Sequence, residues 1–294
     1  IIKDLEINLS LKDKKVLLNQ KEIKKISDYI SNLNVILFTP DDLEIIKGSP
    51  SIRRNLLNIQ ISQMSHTYLN TYNEYNKILK TRNEYLKLLY VNHLADLSYL
   101  KILTDQLIEK SILIYQKRKE YIDFINNQID TIYQCITNFQ GLQLKYEPNV
   151  NFNTYCEEDI RKCLREKFAE NYQRELMQGM TLFGPHRDDF SYILNDNDLK
   201  LFGSQGQQKL AVLAHKLSEI DIFIQFTKTK PILLLDDIFS EIDIKKQNRL
   251  LDYIKQDIQS IITTTDLKNV QKKIVRDATI FEIKDSKIEK KARR

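Results

Sequence analysis

The chain has 294 residues and a hydrophobic fraction of 42%, enough to bury the core of one large domain or of two smaller ones. Its formal net charge of +5 is too small to identify a nucleic-acid partner from charge alone. The cysteines form no Cys-x-x-Cys pair and the histidines show no metal-ligand spacing, which argues against a disulfide scaffold or structural metal site and favours free thiols in a reducing cytosol. We find no signal peptide and no apolar run near the roughly 18 residues of a membrane span, and therefore expect a cytoplasmic protein without a membrane partner.

The N-terminal part of the chain is predicted to form short strands. Residues 5–18 alternate apolar and polar side chains, which predicts a β-hairpin. A short helix is predicted over 22–31 and a buried strand over 34–38. Thr39 or Asp41, directly after that strand, is a candidate cap for the next helix.

A long segment without proline or glycine follows. It begins with Ser49 as a helix N-cap and Pro50 at the first helical position. Apolar side chains then recur every three or four residues as far as Asn138, which predicts at least two long antiparallel helices with a break near 92–98. We interpret the tyrosine-rich stripe of the first helix as a packing surface.

The same segment carries more Lys and Arg than Asp and Glu, which is compatible with a DNA surface without requiring one. Arg53 and Arg54 stand at a helix start, where the helix dipole disfavours cations. Two interpretations remain open for them, namely contact with the phosphate of a nucleotide or DNA, or an intramolecular ion pair.

The next stretch is predicted to form strands over 143–146 and 151–152 and a helix over 157–177. It leads into the turn Gly-Pro-His-Arg-Asp-Asp-Phe at 184–190. Arg187 in this turn has a planar guanidinium that suits a phosphate or a partner carboxylate. The alternative is a local bridge from Arg187 to Asp188 or Asp189.

A loop at 202–209 delivers the N-terminus of an amphipathic helix. Ser204 is a favourable N-cap, and Gly206 lets the backbone approach a ligand closely. The unpaired N–H groups and the positive end of the helix dipole suit an anion such as a terminal phosphate. Gln207 belongs to the same loop.

Four apolar residues, 232–235, run directly into Asp236 and Asp237. Such a run predicts a strand buried on both faces of a parallel sheet, and the C-terminal ends of these strands are where open α/β sheets bind ligands. One carboxylate there suits a hydrated Mg²⁺ and the second suits a position beside a γ-phosphate. The alternative is a strand followed by a solvated acidic turn.

Taken in order, these motifs resemble the ABC-type ATPase head, and within that class the RecF family of bacterial recombination-mediator ATPases, which is related to the SMC family. The stretches that carry the resemblance are 37–57, 184–190, 202–209 and 231–243. They span nearly the whole chain. The resemblance implies an α/β fold, an ABC-type head with a P-loop-type parallel sheet and β-hairpins, and a long α-helical lobe inserted into it.

The resemblance also divides the chain. The expected segments are 1–49 and 142–283 for the two parts of the head, 50–141 for the lobe and 284–294 for a basic tail that is solvated or binds DNA non-specifically. The 6 glycines include none in a GxxxxGK[ST] phosphate-binding loop, so we expect a fragment that lacks an N-terminal part with the Walker A motif.

For the site, the resemblance implies ATP and Mg²⁺ held between two copies of the chain. The matching residues are Asp236 for the Mg²⁺ shell, Asp237 for orienting the attacking water, Ser204, Gly206 and Gln207 of a second subunit for the γ-phosphate, and Asp243, Thr265 and Arg187 around the nucleotide. Asp237 stands where many ABC ATPases have a glutamate, and the threonine run 263–265 stands where they have a histidine, and both departures suggest slow hydrolysis. The resemblance implies a weak DNA-dependent ATPase for the full-length protein.

The implied biology is DNA repair and replication: gap repair, recombinase loading and the SOS response. The implied partners are single-strand/duplex DNA junctions, a second copy of the chain and other recombination mediators. Three alternatives remain: an SMC- or ABC-like ATPase with another DNA-repair role, a non-hydrolysing interaction protein, and a transport ATPase head, which the long helical insertion argues against.

Overall fold

The computed structural model describes residues 4–10, 14–23, 32–91, 96–238, 242–254, 258–265, 278–285 and 287–290. Most of the helix predicted over 22–31 therefore lies outside the described residues, as do 239–241. The strands are β1 Leu5–Leu9, β2 Lys14–Leu18, β3 Lys21–Glu22, β4 Val35–Phe38, β5 Leu142–Glu147, β6 Asp189–Leu194, β7 Asn197–Asp198, β8 Ile232–Leu235, β9 Ser260–Ile262, β10 Phe281–Lys284 and β11 Lys287–Lys290. The α-helices are α1 Glu44–Lys47, α2 Pro50–Met64, α3 His66–Val91, α4 Leu97–Asn126, α5 Ile129–Thr137, α6 Glu157–Glu170, α7 Tyr172–Gln178, α8 Leu199–Phe202, α9 Gln205–Thr227 and α10 Ile244–Tyr253, with 3-10 helices at Pro40–Leu43 and Pro185–Arg187.

A parallel sheet of order β4-β8-β9 lies at the centre of the head. One face of the sheet is covered, where Ile36 and Leu233 are fully buried, whereas Leu37 and Ile261 in the row on the other face are 45% and 52% exposed. The burial on both faces predicted for 232–235 is therefore incomplete among the described residues, since Ile232 and Leu234 are only half-buried. The ladder pairs Leu235 with Phe38 on one side and with Ile262 on the other. The residues that follow these three strands therefore meet at one edge of the sheet, as the sequence predicts.

Antiparallel strands complete the head. The predicted hairpin is confirmed as β1 and β2, and β5, β6 and β7 form a separate antiparallel sheet. The strand predicted at 151–152 is wrong, because Phe152 turns inward and its ring packs edge-on against Tyr115, 4.7 Å between centroids. Part of the predicted basic tail, Lys287–Lys290, forms β11, which pairs with β10 and is exposed to solvent as predicted.

The helical lobe consists of α2 to α5. Helix α2 begins at Pro50 after Ser49, and α3 ends at Val91 before α4 begins at Leu97, which confirms the predicted break. Tyr68 and Tyr75 are fully buried, so the tyrosine stripe is a packing surface, as predicted. The helix predicted over 157–177 is two helices, α6 and α7, because the backbone departs from helical geometry at Asn171.

Buried arginines join the lobe to the turn at 181–189. The Arg118 guanidinium contacts Asp188 Oδ2 at 2.8 Å and Asn58 Oδ1 at 2.9 Å, and both members of the ion pair are fully buried. Arg82 likewise pairs with Glu175 at 2.6 Å and donates to Thr181 Oγ1. Charges removed from water require such partners, so these bonds fix the turn relative to the lobe.

Replacing Arg118 with leucine is expected to lower the free energy of unfolding by about 3–5 kcal/mol, because the Asp188 carboxylate would stay buried without its counter-charge. Urea denaturation measures this change. Lys117→Leu, on the solvent side of the same helix, is the control, with an expected change within roughly 0.5 kcal/mol. An Arg118→Leu variant as stable as the control would contradict the structural role of this pair.

A second buried polar cluster lies beneath α9. The Tyr121 hydroxyl donates to Glu219 Oε1 at 2.7 Å and lies 3.0 Å from His215 Nε2, while the Tyr192 hydroxyl lies 2.6 Å from His215 Nδ1. Burial raises the pKa of Glu219 to about 7, against the opposing effect of Lys216, and burial lowers the pKa of His215 to about 3. The cluster joins α9 to α4 and β6, with the His215 imidazole neutral and the Glu219 carboxyl protonated below about pH 7.

Glu219→Gln is expected to become more stable than the parent chain as the pH rises. Between the ordinary glutamate pKa of 4.5 and about 7, the unfolded chain releases its proton while the folded chain keeps it, so the parent loses stability over that window. The glutamine cannot ionise and still accepts from Tyr121, which predicts a gain on the order of 2–3 kcal/mol at pH 8 and little change at pH 4.5. Denaturant midpoints across this range test the prediction, and parallel profiles would contradict it.

Candidate nucleotide-binding site

The acid pair lies where β8 leaves the sheet. The Asp236 N–H donates to Phe38 O at 2.9 Å, which extends the ladder by one residue and holds the exposed Asp236 side chain at the sheet edge. Asp237 then adopts φ 47, in the left-handed region. Aspartate tolerates this conformation better than most residues, and it turns the chain out of the strand at this point.

Thr263, directly after β9, contacts both acids. Its hydroxyl donates to Asp236 Oδ1 at 2.5 Å, and it accepts from the Asp237 N–H at 3.0 Å. Thr265 is the residue predicted from the threonine run 263–265, whereas Thr263 is the one that contacts the acids. The strand register brings Thr263 there, because Leu235 lies opposite Ile262 and so the next residue of each strand falls side by side.

A narrow cleft runs beside Asp237. Phe38, Leu43 and Val212 supply apolar walls, and Lys209 of α9 lines the cleft together with Asp237. Desolvation and the neighbouring Lys47 lower the pKa of Lys209, while Asp237 opposes that shift. The cleft therefore places the Lys209 ammonium near Asp237 at the end of β8.

The loop before α9 points outward. Ser204 Oγ accepts from the Gln207 N–H at 3.3 Å, and Gln207 Oε1 accepts from the Ser204 N–H at 2.9 Å, which forms a capping box. Ser204, Gly206 and Gln207 are all exposed. A Cβ built on Gly206 meets no atom within 4 Å, so nothing within the described chain requires glycine at that position.

Thr265 and Asp243 are not among the residues that the structure shows bonded to the acid pair. Thr265 is exposed, two residues beyond Thr263. Asp243 caps α10 by accepting from the Lys246 N–H at 3.0 Å, and the hydrogen bond with Lys246 lowers the pKa of Asp243. This gives Asp243 a local structural role in addition to the predicted one.

Arg187 stands exposed on a rigid turn. The alternative in which it bridges Asp188 or Asp189 is wrong, because those carboxylates bond to Arg118 and Arg53. Among the described residues, the guanidinium of Arg187 contacts Met180 Sδ at 3.4 Å and forms no ion pair. The cation therefore remains available to an external anion.

The phosphate hypothesis is wrong for Arg53. Its guanidinium is buried, contacts Asp189 at 2.6 and 2.8 Å, and donates to Gly48 O at 3.1 Å and Ile45 O at 3.0 Å. It thus forms the intramolecular ion pair that was the alternative, and it also satisfies carbonyls at the end of α1. Arg54 donates to the Asp188 carbonyl at 2.8 Å.

Comparison with known proteins identifies the family to which this chain belongs. No protein-family model matches the chain. A curated relative from Geobacillus sp. (strain WCH70), named DNA replication and repair protein RecF, is 38% identical over 281 residues, which cover 95% of this chain and 75% of the relative. A relative of the same name from Halalkalibacterium halodurans is 39% identical over 289 residues, 98% of this chain and 78% of its own length. The chain belongs to the RecF family.

Two solved RecF structures agree with this membership. They are described as the recombination mediator protein RecF in the RecFOR pathway, one as RecF-ATP and one as RecF-ATPrS, with TM-scores of 0.86 and 0.85. Each is 30% identical and covers 99% of this chain and 76% of its own. The predicted ATPase-head fold and the predicted role in DNA replication and repair are thereby confirmed, whereas the individual site residues stay predictions.

Membrane spans and clusters of metal-ligating side chains are both absent from the part of the chain that the structure describes. No described helix is both long and apolar enough to cross a membrane. Within the described ranges, no group of three or more His, Cys, Asp and Glu side chains is arranged to hold a metal.

Proposed function

We propose that this RecF-family chain supplies part of a composite ATP site and dimerises on DNA when ATP occupies it. The outward-facing loop at the start of α9 carries the proposal. Its three motif residues are exposed, and the glycine among them has open space where a side chain would be. Glycine near a helix start costs stability, so an external group that approaches the backbone closely explains it.

The acid pair supplies the second part. Asp236 would hold Mg²⁺, with Thr263 fixing one of its oxygens and water completing the shell; when bound, the ion neutralises charge on the phosphates. Asp237 lines the cleft and would orient the attacking water. Ser204 would donate its hydroxyl hydrogen to the γ-phosphate across the dimer, since its two capping bonds do not use that hydrogen.

The remaining assignments rest on the family. We propose Asp243, Thr265 and Arg187 as further contacts around the nucleotide, and single-strand/duplex junctions as the DNA that the dimer binds. The relatives' place in the RecFOR pathway supports other recombination mediators as partners. Slow hydrolysis suits a protein that acts as an ATP-dependent switch.

Ser204→Arg in the full-length gene product separates binding from dimerisation. A long cation at the exposed cap is expected to leave nucleotide binding intact and to abolish ATP-dependent dimers, as measured by light scattering with and without ATP. Asp236→Asn is expected to weaken Mg²⁺-dependent nucleotide binding instead. Dimers that persist in Ser204→Arg would contradict the role across the interface, and unchanged ATP-dependent dimerisation in Asp236→Asn would favour a non-hydrolysing interaction protein.

A further inference from the structure

We propose that Thr263 is the positioning residue of the acid pair, and that it sets the affinity of the site for Mg²⁺. This inference rests on the proposed function, because it concerns the same site. Thr263 begins the threonine run 263–265 that follows β9, and Thr265 is the member of that run predicted for the nucleotide site. What singles it out is that one hydroxyl group bonds to both Asp236 and Asp237.

The directions of the two bonds follow from chemistry. A backbone N–H is only a donor, so the Thr263 hydroxyl must accept from Asp237. The hydroxyl has a single hydrogen, and that hydrogen points at Asp236 Oδ1, 2.5 Å away. The Asp236 carboxyl group is thus the acceptor of this bond, which fixes one of its two oxygens at the edge of the sheet.

Thr263 is itself fixed to the same strand as the acids. Its N–H donates to Leu235 O at 3.0 Å, so the residue belongs to the β8–β9 ladder. Asp237 has φ 47, a conformation that most residues avoid and that persists only where its surroundings hold it. The bond from the Asp237 N–H to Thr263 is such a restraint on a residue that lines the cleft.

Two substitutions of Thr263 separate the effect of its hydroxyl group from the effect of its side-chain shape. Valine has nearly the shape of threonine but loses both bonds, whereas serine keeps both bonds and loses only a methyl group. Because a hydrogen bond to a charged group is worth more than a neutral one, Thr263→Val is expected to raise the Mg²⁺ concentration at half-saturation of nucleotide binding about tenfold. Thr263→Ser is expected to stay within roughly twofold of the parent.

The experiment titrates Mg²⁺ into the full-length protein with a fluorescent ATP analogue and records nucleotide binding, with thermal unfolding as a check that each variant is folded. A folded Thr263→Val with a raised Mg²⁺ midpoint, restored by serine, supports the proposal. A folded Thr263→Val with the parent midpoint overturns the role of Thr263 and leaves the ATP site standing. A parent protein that binds no nucleotide overturns the proposed function and this role together.

Discussion

Gly206→Ala is expected to weaken ATP-dependent dimerisation while making the folded chain slightly more stable. A Cβ at this position meets no atom of the described chain, and alanine is a better helix former than glycine by roughly 0.5–1 kcal/mol. Across the proposed dimer, the same methyl group would enter the space of the γ-phosphate or of the partner. Overpacking of that kind costs about 1–3 kcal/mol, or roughly 5- to 150-fold in the dimerisation constant.

The expected gain in stability and the expected loss of dimerisation have opposite signs, so general misfolding of the variant cannot produce both. Thermal unfolding measures the stability of the variant, and sedimentation with ATP and Mg²⁺ measures its dimers. Gln205→Ala is the matched control, because Gln205 is exposed in the same loop and has no proposed contact with the nucleotide. A Gly206→Ala protein that dimerises as the control does would show that the open space above this glycine is not part of an interface.

The loop at 202–209 and the acid pair Asp236 and Asp237 were predictable because their signals are local. Ser204 and Gln207 are three residues apart and cap one helix, and the apolar run before Asp236 marks one buried strand. Each motif lies within a few residues of the structure that it specifies. The same holds for Pro50 at the first position of α2.

Contacts between distant parts of the chain were not predictable in this way. Arg53 and Asp189 are 136 residues apart, and nothing near Arg53 indicates that it is buried. Thr263 reaches Asp236 only through the register of two parallel strands, so its neighbour Thr265 was an equally reasonable selection from the sequence. Tertiary packing decides which distant residues meet, and a periodic pattern along the chain carries no information on that packing.

Asp237→Asn is expected to lower ATP hydrolysis by about 10²–10⁴-fold while leaving the fold and the ATP-dependent dimer in place. An amide cannot orient and deprotonate water as a carboxylate does. Asparagine tolerates φ 47 as well as aspartate does, so the backbone keeps its course out of β8. A steady-state assay of phosphate release in the full-length protein, with DNA present, measures the loss.

Asp237→Glu tests the backbone argument separately. Glutamate is the residue of many ABC ATPases here, yet at φ 47 it is expected to cost about 1 kcal/mol of stability and to leave hydrolysis below that of the parent. Asp196 provides the control, since it is exposed with φ 63 in the turn between β6 and β7, away from the acid pair. Asp196→Glu should therefore show the same loss of stability with unchanged hydrolysis. Faster hydrolysis in Asp237→Glu would mean that reach of the carboxylate, rather than the backbone conformation, limits the reaction.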